Sequence, residues 1–130
     1  MGLDMYLLGV KIEFDQHNYG IGMVKTMTEI GYWRKANAIH KWFVDNVQDG
    51  IDNCQPHEFS TEILTDLKEL CQEVLDDNSK AEDLLPTQSG FFFGPTEYDE
   101  WYFSDLKNTI EIIDWALNQD FDYFVYESSW

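Results

Sequence analysis

Hydrophobic and polar positions change rhythm several times along this chain, and each change marks an element. Residues 3–14 are rich in Tyr, Leu, Val, Ile and Phe and end in the alternation Val10, Lys11, Ile12, Glu13, Phe14. A period of two predicts a strand. Asp15 to Gly22 carries Asn18 and two glycines, a composition that predicts a turn or loop. Residues 23–32 then predict a second strand, paired with the first as a hairpin. Near Arg34 the period lengthens. Ala36, Ile39, His40, Phe43, Val44 and Val47 recur at helical spacing and make one apolar stripe. Lys41 and Asp45, four residues apart, lie on another face and suit an ion pair. Gly50 and the segment 49–56 end the helix.

A second helix has clear punctuation. Ser60 is placed as an N-cap, and Phe59 and Leu64 are spaced for a hydrophobic staple. Ile63, Leu67, Leu70, Cys71 and Val74 form its buried stripe, and it stops around Asp76, Asp77 and Asn78. Ser79 to Glu82 reads as a capping box for a short helix that Pro86 terminates. Residues 86–97 predict a loop around Phe91, Phe92 and Phe93, bracketed by Gly90 and by Gly94 and Pro95. A last long helix is expected over 98–118, with the stripe Leu106, Ile110, Ile113 and Leu117. Phe121 to Tyr126 predicts a short aromatic strand before the tail 127–130. There are no internal repeats, no low-complexity tract and no domain linker. The expected architecture is a single α+β domain spanning 1–130. It has a small antiparallel sheet, made of the N-terminal hairpin plus a C-terminal strand, packed on one face with three main helices.

Composition sharpens this picture. A chain of 130 residues buries a core without disulfide staples. Its aromatic content of 16% is high, so the rings either fill the core or line a pocket, and the core is the commoner fate. Charge is uneven. Residues 1–45 hold five Lys/Arg and five acids, whereas 46–130 hold three lysines against twenty acids, which is the whole net charge of −17. Such a field repels nucleic acid and anionic membranes. It serves solubility, or it mimics a polyanion and fills a partner's basic groove. Two cysteines, Cys54 and Cys71, are too few for a disulfide framework or a four-cysteine zinc site, and they read as reduced cytosolic thiols. The first residues lack the basic region and apolar run of a signal peptide, and no stretch approaches a membrane span. The expected location is cytoplasmic.

The most informative segment for function is Gly31 to Asn37. A helix start already carries partial positive charge. Here it is flanked by Arg34 and Lys35, with no Ser, Thr, Asp or Asn at 31–34 to cap it. Free N–H groups beside two cations predict an anion cradle, and Tyr32 and Trp33 offer rings on which a base could stack. The plainer alternative is that Arg34 and Lys35 pair with the many carboxylates. Asn37 and His40 follow on the same helix, and His40, on the apolar stripe, is more often a packed core residue than a catalyst. The loop at 86–94 is the second candidate. Thr87, Gln88 and Ser89 supply donors and acceptors, and Phe91 heads three consecutive rings that are costly to expose. A buried strand is the equal alternative there. Cys54 and His57 lack a second pair of metal ligands, and Asp45, Asp49 and Asp52 do not match a calcium loop. No catalytic residue, metal or cofactor is assigned.

Five blocks carry a resemblance: MGLDMYL at the start, GYWRKANAIHKWFVDNVQDG, LLPTQSGFFFG, EYDEWYFSDL and the closing SSW. With these the chain resembles a family of small uncharacterised phage- and bacteria-encoded proteins. The blocks span nearly the whole sequence, and no residue inherits a role from them. The resemblance implies a cytosolic accessory protein, in the host cytoplasm where phage-encoded, of the kind that counters host defence. Three functions follow for testing. The leading one is a non-enzymatic binding protein, a sponge for a small anionic, nucleotide-like ligand held by Tyr32, Trp33, Arg34, Lys35, Asn37, His40, Thr87, Gln88, Ser89 and Phe91. Second is an acidic inhibitor of a host defence protein. Third is a small nucleotide-acting enzyme with His40 as acid or base. None of the three engages nucleic acid or membrane, and all leave room for a homo-oligomer.

Overall fold

The fold was taken from a computed structural model, which describes residues 2–17 and 20–130. Strands β1 (Asp4–His17) and β2 (Gly20–Arg34) form a long antiparallel hairpin. Its ladder runs from Asp4 opposite Arg34 to His17 opposite Gly20. The expected loop at Asp15–Gly22 is therefore mostly strand, and its tip, residues 18 and 19, lies outside the described residues. The residues on either side, Asp15 to His17 and Gly20 to Gly22, stay paired as the ends of two long strands. A register shift between Leu7 and Leu8 puts an irregularity into the ladder there.

Helix α1 (Asn37–Val47) follows. It starts three residues later than Arg34 suggested. Arg34 is still in the ladder with Asp4, and Lys35 turns the chain in a left-handed conformation, φ 55°. Its N–H donates to the Leu3 carbonyl at 2.7 Å. A short strand β3 (His57–Phe59) comes next and was not anticipated, since three residues are too few to display a period. Helix α2 (Thr61–Asp76) begins after Ser60, whose backbone is extended as an N-cap requires but whose hydroxyl makes no cap bond. A 3-10 turn (Asn78–Lys80) leads into α3 (Ala81–Leu84). The cap here is Asp77 rather than Ser79: its carboxylate accepts from the Ser79 N–H at 3.1 Å and from the Ser79 hydroxyl at 2.6 Å. Helix α4 (Glu100–Leu117) is capped by Asp99, and strand β4 (Tyr123–Ser129) closes the chain.

The result is an α+β fold with a four-stranded antiparallel sheet in the order β2-β1-β4-β3. Helices cover one face. Leu3, just before β1, Met5 and Leu7 of β1, Trp33 of β2 and Phe124 and Tyr126 of β4 lie in the core with Ile39 and Phe43 of α1, Leu64 and Leu67 of α2 and Leu106 and Ile113 of α4. The Phe43 and Tyr126 rings stack at 4.0 Å. At Gly31 a Cβ would meet Ile112 of α4 at 2.7 Å, so glycine lets that helix sit directly on β2. Beyond Val10 the first strand loses β4 as a neighbour, and the hairpin continues as a two-stranded arm. The arm exposes Phe14, Met23, Val24 and Met27. No described helix is long and apolar enough to cross a membrane.

Candidate functional site

Residues 86–97 are pinned against the start of α1 by one buried side chain. Asn37 donates from Nδ2 to the carbonyls of Phe93 (3.0 Å) and Pro95 (2.9 Å), and its Oδ1 accepts the N–H of Gln88 (3.0 Å). These bonds use both amide hydrogens and the carbonyl oxygen. Asn37 therefore acts as a structural clamp, its amide bonded to the loop. The rest of the loop is tied to itself and to its neighbours. The Thr87 hydroxyl donates to the Thr96 carbonyl at 2.9 Å, and the Thr87 N–H donates to the Tyr98 hydroxyl at 3.2 Å. Leu3 donates to the Phe92 carbonyl at 3.1 Å, joining the loop to the start of the sheet. Gly94, at φ 84°, lets the Lys35 stem pass where a Cβ would come within 3.1 Å of it.

The clamp divides the expected site into two clefts. The first, of about 240 Å³, opens at the start of α1 and is lined by Arg34, Lys35 and the helix's first turn, Ala36 to Ile39. Ala36 occupies the N-cap and makes no side-chain cap bond, so the leading N–H groups of the turn that lines the cleft have no side-chain cap. Arg34 is half-exposed, with Nη1 3.2 Å from Asp4 Oδ1. Thr87 and Pro95 form one wall, Trp101 another. Three acids, Glu97, Asp99 and Asp105, also line it. Asp99 is occupied in capping α4 through the N–H groups of Trp101 and Tyr102. Burial, helped by the neighbouring Asp99 charge, pushes the Asp105 carboxyl up to about 6.

Neither ring expected beside the cradle is available there. Trp33 is only 2% exposed, and its indole N–H donates to the Thr109 hydroxyl at 2.9 Å inside the core. Strand alternation turns Tyr32 to the opposite face, where it packs on Tyr6 and its hydroxyl donates to Asp4. The stacking surface at this cleft is Trp101, 70% exposed on the first turn of α4. Its segment, Tyr98 to Tyr102, follows the loop directly and is visibly rich in rings and carboxylates, but only the packing of α4 beside α1 brings Trp101 to the cleft.

The second cleft, of about 430 Å³, lies on the other side of the clamp and contains His40, Gln88, Ser89 and Phe91 of the expected set. Asp52, Phe93 and Trp130 join them. His40 is fully buried, its Nδ1 2.6 Å from the Tyr126 hydroxyl and its Nε2 2.9 Å from Asp52 Oδ2. Burial lowers the imidazole pKa against the opposing pull of Asp52, and burial holds the Tyr126 phenol well above its ordinary value. The ring is thus neutral, with Tyr126 donating to Nδ1 and the Nε2 hydrogen donating to Asp52. Asp52 Oδ1 accepts the Trp130 indole N–H at 3.0 Å. Tyr126, His40, Asp52 and Trp130 form one polar chain from core to surface. The burial of His40 accords with its place on the apolar stripe, whereas Asp52 and Trp130 carried no local signal.

The remaining candidates are quiet. Cys71 is buried, which pushes its thiol up to about 12. Among the described residues no group of three or more His, Cys, Asp or Glu is arranged to hold a metal ion. Compared with family models, with curated proteins and with solved structures, the chain matches none.

Proposed function

We propose that this chain is a non-enzymatic binding protein that sequesters a small, phosphate-bearing, nucleotide-like ligand in the cleft at the start of α1. The observation that carries the reading is the uncapped first turn of α1 opening beside Arg34 and Lys35. Such N–H groups and two cations form a cradle for a phosphate. Trp101 offers a face for a base. Glu97 and Asp105 accept hydrogen bonds from base amines or ribose hydroxyls, so their presence selects a ligand that is anionic at one end and hydrogen-donating at the other. His40 lines the other cleft. That placement takes the histidine out of the cradle, where Asp105, its carboxyl pushed up to about 6, is the one group left to move a proton; the cleft is read as favouring sequestration over turnover. Within the resemblance to phage-encoded proteins, such a sponge would remove a nucleotide signal used in host defence.

A specific feature of α2 supports a second reading, the acidic inhibitor. Glu62, Asp66, Glu69, Glu73 and Asp76 are exposed and share one face of the helix. At about 1.5 Å rise per residue their carboxylates fall roughly 5–6 Å apart, a ladder that mimics a polyanion. Calorimetry with nucleoside mono- and diphosphates, followed by heat release and chromatography of the ligand, separates the readings. Saturable binding and recovery of the unaltered nucleotide are expected. A hydrolysed or rearranged product that disappears in His40→Ala would replace the sponge with an enzyme. Absence of binding, together with a salt-sensitive complex with a basic protein, would leave the inhibitor.

A further inference from the structure

The second cleft has walls of a different kind. Phe93 and Trp130 meet edge to face at 6.1 Å, His40 lies against Phe93 at 5.3 Å, and the Phe91 ring stands 83% exposed at the rim. Among these rings sits one carboxylate, Asp52, held from both sides by His40 and Trp130. Each of its oxygens accepts one of those bonds and keeps a second lone pair. The cation at the rim, Lys41, is 2.7 Å from Asp45 and is matched by it. Asp52 therefore leaves the lining with a fixed excess of one negative charge, within a chain of net charge −17. Because burial keeps His40 neutral, the imidazole orients the carboxylate without cancelling it.

We infer that this cleft is a second binding site, for an organic cation that donates hydrogen bonds, a primary ammonium or a guanidinium. The charged head meets the free lone pairs of Asp52, and the rings of Phe91, Phe93 and Trp130 take its flanks by cation–π contact and apolar packing. An anion would find no unmatched cation there. The volume of about 430 Å³ admits a head group with several methylenes, within the range of small-ligand clefts. The acidic surface concentrates such ligands near the mouth. No lining residue is shared with the cleft at the start of α1, so the two sites fail or stand independently. The same head group occurs on free polyamines and on the lysine and arginine side chains of proteins.

Tryptophan fluorescence and calorimetric titrations at low salt test the site. The probes are agmatine, putrescine and butylammonium, a blocked arginine amide and an arginine-containing peptide, with butanol as the uncharged control. Saturable binding of the cations and none of butanol is expected. Free amines binding as well as the peptide would assign the site to polyamine-like ligands; tighter binding of the peptide would assign it to a protein side chain. Asp52→Asn should weaken binding about tenfold or more. Phe91→Ala, an exposed position, should weaken it about threefold without lowering the melting temperature. Arg34→Ala should leave it unchanged. If none of the cations binds in the millimolar range, or if Phe91→Ala and Asp52→Asn both bind as wild type does, the site is not a cation site.

Discussion

The two clefts flank the same clamp, each lined by one more carboxylate than cations, and differ in what stands beside those charges. At the start of α1, cations and uncapped N–H groups meet three acids, one of them already engaged as a helix cap. Over His40, the only cation is matched by Asp45 and a single oriented carboxylate remains. Both are lined by residues of the 86–94 loop and by turns of α1. Local composition alone would have merged them, as the sequence reading did. What separates them is Asn37, a residue whose side chain spends every polar atom on backbone partners. A wall is therefore as informative about specificity as the groups that face the ligand.

Breaking that wall should produce the largest effect. Asn37→Ala removes the partner of the Gln88 N–H and of the Phe93 and Pro95 carbonyls, of which the Phe93 bond is buried and the other two partly buried. A destabilisation of about 1–3 kcal/mol is expected in urea denaturation, with both ligand affinities falling together. Loss of one affinity alone, in a protein of wild-type stability, would show that the loop is held by something other than Asn37.

Acid should sharpen the contrast, because each side of the wall holds a titrating group of opposite effect. His40 has a folded pKa below its unfolded value. The unfolded chain therefore takes up a proton first, and stability from this group is lost as pH falls below about 6.5. Asp105 behaves oppositely. Its folded pKa is about 6 against a usual 3.8, so the folded chain holds the extra proton between those values and stability rises as pH falls through that window. The two contributions partly cancel in wild type. Asp105→Asn should be more stable than wild type at pH 7 and should lose more stability on going to pH 5. Parallel urea midpoints for the two proteins at both pH values would refute the assignment.

Much of the fold could be read from the chain. The period of two at Val10–Phe14 and the helical stripes of α1, α2 and α4 place the sheet and its cover, because burial imposes those periods directly. The start of α1 was read three residues too early, at Arg34, where the strand still pairs with Asp4, and the N-cap is Ala36. Trp33 misled, since a ring beside two cations looks like a platform until strand alternation sends it inward to Thr109. Asp52, Trp101 and Trp130 were not among the expected ligand residues, although Trp101 stands in the ring-rich segment 98–102. They arrive from distant positions by tertiary packing, and one acid among 25 has no pattern to mark it.

Smaller effects refine the comparison. Trp101→Ala should cost a base-bearing ligand about 1–2 kcal/mol while leaving inorganic phosphate binding unchanged, as for the loss of one stacking face. Equal losses for both ligands in calorimetry would move the base elsewhere. Smallest is the response to salt. Raising ionic strength from low to physiological should lift the melting temperature by a few degrees, as screening relieves repulsion among the exposed acids. A melting curve indifferent to salt would mean that those charges are already compensated within the fold.

The cradle at the start of α1 is tested most directly by one calorimetric titration of a nucleoside monophosphate into wild type, Arg34→Ala and Asp105→Asn at pH 7. Arg34 supplies attraction and Asp105 supplies a competing charge in the same cleft. Arg34→Ala should weaken binding by about 1.5–3 kcal/mol with the fold retained, and Asp105→Asn should strengthen it severalfold. Identical affinities in all three proteins, or a shift of the same sign in both variants, would contradict a phosphate site there.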